Sequence, residues 1–239
     1  MAGALLEVHG IVKRFGGFTA LNNVTLHVKA GERFGLIGPN GSGKTTLINC
    51  ISGVLAAGAG RILFDGGDIT TLPAHRRTRL GIVRSFQIPK PFTSMTLQEN
   101  LDIPLEYAAR ERSKDAAADA AAILEAIGLG AKAHLKPGGL TQIEMRKLEL
   151  ARALAARPRL LISDEAMAGL SSAEVDDILA ILFRLNEQGI TIIMIEHIMR
   201  AVMRFCERIA VLDAGQLIAE GTPEEIVRNP AVEKAYLGE

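Results

Sequence analysis

The stretch Gly38-Pro39-Asn40-Gly41-Ser42-Gly43-Lys44-Thr45-Thr46 constrains this 239-residue chain more than any other. It fits the spacing G-x-x-x-x-G-K-[ST] in full. An apolar run, Phe34 to Ile37, precedes it, and an apolar-periodic segment, KTTLINCIS, follows it. Strand, Gly-rich turn and helix, in that order, are the parts of a polyphosphate cradle. Glycines let successive backbone N–H groups point inward around one anion. The helix start adds the positive end of its dipole. In such a frame Lys44 reaches the β- and γ-phosphates, and the Thr45 hydroxyl ligates Mg²⁺. A plain Gly-rich turn is the alternative, and it leaves Lys-Thr at that offset unexplained.

The loop leaves ATP, GTP and a kinase reaction open. A second constellation narrows the chemistry. Arg159-Leu160-Leu161-Ile162-Ser163-Asp164-Glu165 reads as an apolar strand ending in two carboxylates. Open α/β sheets bind ligands beyond the carboxyl ends of their strands. Asp164 is therefore placed to hold Mg²⁺, directly or through water, and Glu165 to polarise an attacking water. A strand that merely enters a turn can end the same way; the phosphate loop favours the chemical reading. His197 directly follows TIIMIE. Read alone, it is more readily a surface or satisfied histidine than a γ-phosphate partner. Gln87, in VRSFQ, reads alone as a solvated or structural glutamine. His9, His27, His75 and His134 have no comparable placement.

Short apolar runs alternate with longer helical patterns. LLEVHGIV, VTLHV, RFGLIG, GRILFDG, RLLISDE, ITIIMIE, RIAVLDAG and QLIAEG read as strands. KTTLINCIS and Ala173 to Gln188 read as helices, the latter with apolar positions at 3–4 spacing. RLLISD and TIIMIE are apolar throughout, as central strands covered on both faces are. A mixed α/β chain with a largely parallel core follows. From about Pro89 to Gly139 strand signal is sparse and Ala, Leu and Glu abound, which predicts a helical insert. Every apolar stretch breaks well before the ~20 residues a spanning helix needs. MAGALLEVHGIVKRF lacks the order of an export signal. Cys50 and Cys206 both sit in apolar surroundings and read as packing residues, with no disulfide or zinc spacing. Lys plus Arg total 27 and Asp plus Glu total 27, so no large basic face for nucleic acid is expected.

The ordered set GPNGSGKTT, SFQ, an ARAL helix, LLISDE, AGLS and IEH resembles the nucleotide-binding subunit of ABC transporters over nearly the whole chain. KRFGGFTALNNVTL, RSFQIPKPFTSMTLQENL, IEHIMRAVMRFCERIAVLDAGQLIAEGTPEEI and VEKAYLGE look like the cassettes of branched-chain or hydrophobic amino acid importers. The resemblance implies a P-loop NTPase α/β core with a mostly parallel sheet, an antiparallel β part and an inserted α-helical subdomain. The core would be 1–88 and 140–239, and the insert 89–139, meeting the membrane protein. Phe15 would stack on adenine, although a core Phe after the first strand is the alternative. Gln87 would contact Mg²⁺ or water and report to the transmembrane partner. Asp164 and Glu165 would be the magnesium and hydrolytic carboxylates, and His197 the switch histidine. Ala168-Gly169-Leu170-Ser171 would be the loop that crosses to a partner subunit.

One stretch departs from the family pattern. Where Leu-Ser-Gly-Gly-Gln is usual, this chain has Leu140-Thr141-Gln142-Ile143-Glu144. Thr141 keeps a hydroxyl for a γ-phosphate. Ile143 replaces a glycine that lets backbone approach phosphate. Glu144 brings a carboxylate toward a polyphosphate. Ala166 stands where Pro usually follows the hydrolytic carboxylate, and Ser171 where Asp or Asn is usual. The reading implied is an ATPase using ATP and Mg²⁺, dimerising head to tail, docked on transmembrane permease subunits at the cytoplasmic face of the membrane. The altered signature favours a heterodimer over a homodimer. The alternatives are an exporter cassette, such as the lipopolysaccharide type, a non-transport ATP-operated module, and a hydrolytically slow subunit.

Overall fold

The phosphate loop leaves the end of a strand that is buried on both faces. The computed structural model describes residues 3–85, 89–109 and 115–237. In chain order it begins with β1 (Ala4–Phe15), β2 (Phe18–Lys29), β3 (Arg33–Ile37), α1 (Lys44–Ser52), β4 (Ala59–Phe64) and β5 (Gly67–Asp68). Then follow α2 (Ala74–Leu80), β6 (Ile82–Ser85), α3 (Leu97–Ile103), α4 (Ala116–Ala126), α5 (Gln142–Ala155), β7 (Leu160–Asp164) and α6 (Ser172–Glu187). The chain closes with β8 (Thr191–Ile195), α7 (Met199–Phe205), β9 (Arg208–Asp213), β10 (Gln216–Gly221), α8 (Pro223–Val227) and α9 (Pro230–Leu237). Two compact units result, Met1–Ala74 with Thr191–Glu239, and His75–Ile190.

The first unit holds an antiparallel sheet in the order β2-β1-β4-β5. In β1 Leu5, Leu6, Val8 and Ile11 are buried, and from Glu7 on the buried side chains lie among half-buried or exposed neighbours, as a sheet with one covered face requires. The same unit carries β3 paired in parallel with both β8 and β9, with β10 antiparallel on β9. Phe34, Leu36 and Ile37 of β3 are each 1% exposed, and all five residues of β8 are buried. Continuous apolar runs are what parallel strands covered on both sides need, so their assignment from sequence holds.

The second unit is built on β6 and β7, parallel in the register Ile82↔Leu160 to Ser85↔Ser163. α6 buries Val175, Ile178, Leu179, Leu182 and Leu185, a stripe at 3–4 spacing. Between β6 and α5 run α3, a single π-helical turn (Pro104–Ala108), α4 and two 3₁₀ turns, so among the described residues the regular elements of the stretch expected to be helical are helices and helical turns, while 89–96 and 133–136 run as turns and loop. α3 opens with a reciprocal cap between Thr96 and Glu99. The fully buried Asn100 amide donates to the carbonyls of Phe92 and Thr96, which fixes the chain entering α3. β6 is not announced by the sequence pattern. It is four residues long and carries Arg84, whose burial depends on an ion pair described below.

Candidate functional site

The loop geometry explains its glycines. At Gly38 φ is 150°, and a Cβ there would strike the Leu212 carbonyl and meet Ser42 Oγ at 2.8 Å. At Gly43 φ is 105°, and a Cβ would lie 2.7 Å from the Ala20 carbonyl. Any side chain at either position would push the loop off the strands behind it. α1 starts at Lys44 with Gly43 as its N-cap, without a side-chain cap and without an acidic residue in its first turn. The positive end of the helix is therefore left for an external anion. Lys44 is buried, and its Nζ donates to the carbonyls of Gly38 at 2.7 Å and Pro39 at 3.0 Å. The ammonium thus spans the loop that it closes. Asn40, Gly41 and Thr45 are exposed, Thr46 half-buried, and Ser42 Oγ is buried with no hydrogen-bond partner among the described residues.

His197 follows β8, the parallel neighbour of the strand that leads into this loop. β3 and β8 pair in parallel, with Gly35 opposite Met194. β3 ends at Ile37 and β8 at Ile195, so the phosphate loop and His197 both follow the carboxyl ends of neighbouring parallel strands. The side chain is exposed, next to the buried Glu196. Phe15 ends β1, 47% exposed, with Lys13 Nζ 5.3 Å from its ring centroid. Ring and ammonium together offer an apolar face beside a cation, which suits an aromatic base carrying phosphates.

In the second unit the two carboxylates differ sharply. Asp164 closes β7 and is 6% exposed. Its Oδ2 accepts from Arg84 Nη2 at 2.5 Å and from Arg84 Nε at 3.1 Å. Glu165 is half-buried and has a φ of 48°. For a residue with a long side chain, left-handed backbone costs roughly 1–2 kcal/mol, and such strain gathers where a side chain must be aimed. Gln87 lies outside the described residues.

The altered signature is folded into the start of α5. Thr141 is the N-cap and Glu144 sits at the third helical position in a reciprocal capping box. Glu144 also accepts from Lys132 Nζ at 2.6 Å. The Lys132 ammonium first, then the Thr141 N–H, hold its carboxyl below the usual glutamate range. The charge that looked uncompensated from sequence is thus shared with a cation and a helix N-terminus. Leu140 and Ile143 are half-buried, and Gln142 is exposed. Gln142 Nε2 and Arg146 Nη2 donate to the Ala168 carbonyl at 3.4 and 3.2 Å. A Cβ on Gly169 would lie 2.7 Å from Gln142 Nε2. The segment Ala168-Gly169-Leu170-Ser171 is thereby tied to the signature. Ser171 caps α6, again in a capping box, with Glu174. Asp, Asn and Ser are the preferred caps, which accounts for a serine where Asp or Asn is usual.

The residues present fit a divalent cation. Taken separately, Asp164 in the second unit offers a hard carboxylate oxygen beside its ion pair, and Thr45 in the first offers an exposed hydroxyl at a helix start, each the donor chemistry such an ion takes. Both cysteines are free and buried, and burial pushes the Cys206 thiol up to about 12. Sequence reasoning missed Arg84. Its four-residue strand carries too little pattern to be read as one, so the anion that a half-buried arginine needs was not sought.

Comparison with known proteins agrees with these features. A family model described as ABC transporter matches residues 21–168. A second, described as Branched-chain amino acid ATP-binding cassette transporter, matches residues 216–239. The chain is 40% identical to the high-affinity branched-chain amino acid transport ATP-binding protein BraF of Pseudomonas aeruginosa, across 100% of both chains. The ADP conformation of an ATP-binding cassette of an ABC transporter superposes with a TM-score of 0.90 at 35% identity, covering 99% of this chain and 100% of that one. A dimeric post-hydrolysis cassette bound to ADP and Pi gives 0.81 at 28% identity, covering 91% of this chain and 98% of that one.

Proposed function

Because this chain belongs to the ABC transporter family of ATP-binding cassettes, we propose that it powers an importer of branched-chain or other hydrophobic amino acids. It is an ATPase of the cassette type, a class that binds nucleotide, dimerises and works with transmembrane permeases. The observation that carries the substrate class is full-length 40% identity to BraF, together with the matched C-terminal segment. Among the described residues no helix is long and apolar enough to cross a membrane. We place the chain on the cytoplasmic face, docked through residues 89–139 on a permease.

In this reading the α1 N-terminus and the loop amides take the β- and γ-phosphates, with Lys44 turning its ammonium from the Gly38 and Pro39 carbonyls toward them. Phe15 stacks on adenine. Thr45, Gln87 and Asp164 would hold Mg²⁺, which when bound would supply positive charge against that developing on the phosphates. Glu165 orients the attacking water, and its backbone strain keeps that side chain aimed. His197, which follows the strand parallel to β3, hydrogen-bonds the γ-phosphate. The signature Leu140 to Glu144 and the loop Ala168 to Ser171 face the partner cassette's nucleotide. Two copies of Ile143 would obstruct both sites of a homodimer, so we favour pairing with a related chain bearing glycine there.

The test is affinity purification of this chain from solubilised membranes, with leucine uptake measured in cells lacking it. A multi-spanning permease should co-purify, and uptake should fall and return with the gene. Uptake unchanged by its loss, with a permease bound, would overturn the amino acid assignment.

A further inference from the structure

The ion pair between Arg84 and Asp164 has a geometry that a structural salt bridge does not need. The two guanidinium contacts to Asp164, Nε at 3.1 Å and Nη2 at 2.5 Å, fall on the same carboxylate oxygen, Oδ2. A side-by-side pair would use both oxygens, one each. Here one oxygen is engaged twice, and Oδ1 makes no hydrogen bond among the described residues. The pair is well buried, with side-chain exposures of 11% and 9%. It is also held rigidly from both ends. Arg84 lies on β6 and Asp164 on β7, adjacent parallel strands in fixed register.

We propose that Arg84 is a positioning residue that fixes which oxygen of Asp164 meets the divalent cation. Resting on the reading of Asp164 as the magnesium carboxylate, this adds a named residue that orients it. By engaging Oδ2, Arg84 locks the side-chain torsion and presents Oδ1 outward. Mg²⁺ demands near-ideal octahedral geometry at about 2.0–2.1 Å, so an oxygen free to swing is a poor donor. Partners that orient a ligating carboxylate are generally worth about 10–100-fold in metal affinity. Without Arg84 the buried Asp164 carboxylate also loses the partner that holds its torsion. The guanidinium charge opposes a second cation, so the two effects have opposite signs. The double engagement of one oxygen makes orientation the larger.

The experiment uses the full chain with AMP-PNP and Mn²⁺, reading bound Mn²⁺ by electron paramagnetic resonance. Arg84→Met should weaken Mn²⁺ in the nucleotide complex by about tenfold, while metal-free AMP-PNP affinity stays within about twofold. Arg84→Lys, which keeps the charge and one donor, should recover most of the loss. If Arg84→Met does not fold, Arg84→Gln is read in the same way. Mn²⁺ bound as tightly as in the parent, or more tightly, overturns the proposal. Asp164→Asn separates the two levels. If it leaves Mn²⁺ affinity unchanged, the metal role of Asp164 falls and the inference with it. If it weakens Mn²⁺ and the Arg84 variants do not, only the inference falls.

Discussion

Thr141 and Glu144 hold one another at the head of α5: the Thr141 N–H donates to the Glu144 carboxylate at 3.0 Å, and the Glu144 N–H donates back to Thr141 Oγ1 at 3.4 Å. The carboxylate that departs from the usual signature is therefore committed to its own helix and to Lys132. Glu144→Ala should cost about 1 kcal/mol in chemical denaturation at neutral pH. Glu144→Gln should cost less, since an amide oxygen can still accept from the Thr141 N–H. The pH dependence has a definite sign. The folded carboxyl lies below its unfolded value, so its contribution is full above the ordinary glutamate range and disappears as pH falls through the lowered value. The stability gap between parent and Glu144→Gln should close on acidification. A gap that widens there contradicts the Lys132 pairing.

Lys44→Ala removes the ammonium that spans the Gly38 and Pro39 carbonyls. A charged hydrogen bond to phosphate is worth enough that ATP affinity should drop at least about tenfold. Titration with a fluorescent ATP analogue measures it, with circular dichroism to verify folding. A folded Lys44→Ala protein that binds as the parent does would remove the loop from the nucleotide site.

Glu165→Gln keeps the shape of the side chain on its left-handed backbone and removes the charge. ATP affinity should hold while single-turnover hydrolysis falls by at least ~10²-fold. Hydrolysis within about threefold of the parent would leave Glu165 as a structural turn residue.

Much of this site was legible because its chemistry depends on spacing along one segment. The loop from Gly38 to Thr46 needs a strand before it, a helix after it and glycines at fixed offsets, and all of these are local. What depends on pairing between distant segments was not legible. His197 read alone was a bland strand-end histidine; that its strand β8 runs parallel beside β3, the strand leading into the phosphate loop, comes from a pairing that unites residues about 160 positions apart. β6 was missed because four residues with an arginine among them carry too little pattern, and the anion that permits the arginine lies 80 residues away. Ser171 and Glu144 looked like departures from a family pattern. Both turn out to be members of capping boxes, a local motif that the sequence held in plain view as Ser-x-x-Glu and Thr-x-x-Glu.

Cys206 should be inert in the native protein. Its thiol is pushed up to about 12 by burial, and its Sγ packs 2.9 Å from where a Gly35 Cβ would stand. At pH 8 almost none is thiolate, the reactive form. Native protein should react with a thiol reagent far more slowly than urea-unfolded protein, at both Cys50 and Cys206. Rapid stoichiometric labelling of Cys206 without unfolding would mean that the β3–β9 packing opens readily.

The signature bears on how the cassettes pair. In a head-to-tail dimer each ATP takes its loop from one chain and its signature from the other. The Thr141 hydroxyl oxygen accepts from the Glu144 N–H and keeps its O–H to donate to a phosphate, while the Glu144 carboxylate is taken up by Lys132. Ile143 remains the obstacle, since a β-branched side chain keeps the backbone from closing on a phosphate as glycine can. If this chain pairs with one bearing glycine there, the two ATP sites are unequal. The site built from this chain's Lys44, Asp164 and Glu165 receives the better signature and should carry most of the turnover. Glu165→Gln in this chain should then slow the assembled complex much more than the matching change in its partner. Equal losses from the two changes would sink the asymmetric pairing. So would this chain alone, at micromolar concentration, hydrolysing ATP as fast as the complex, because Ile143 would then cost nothing.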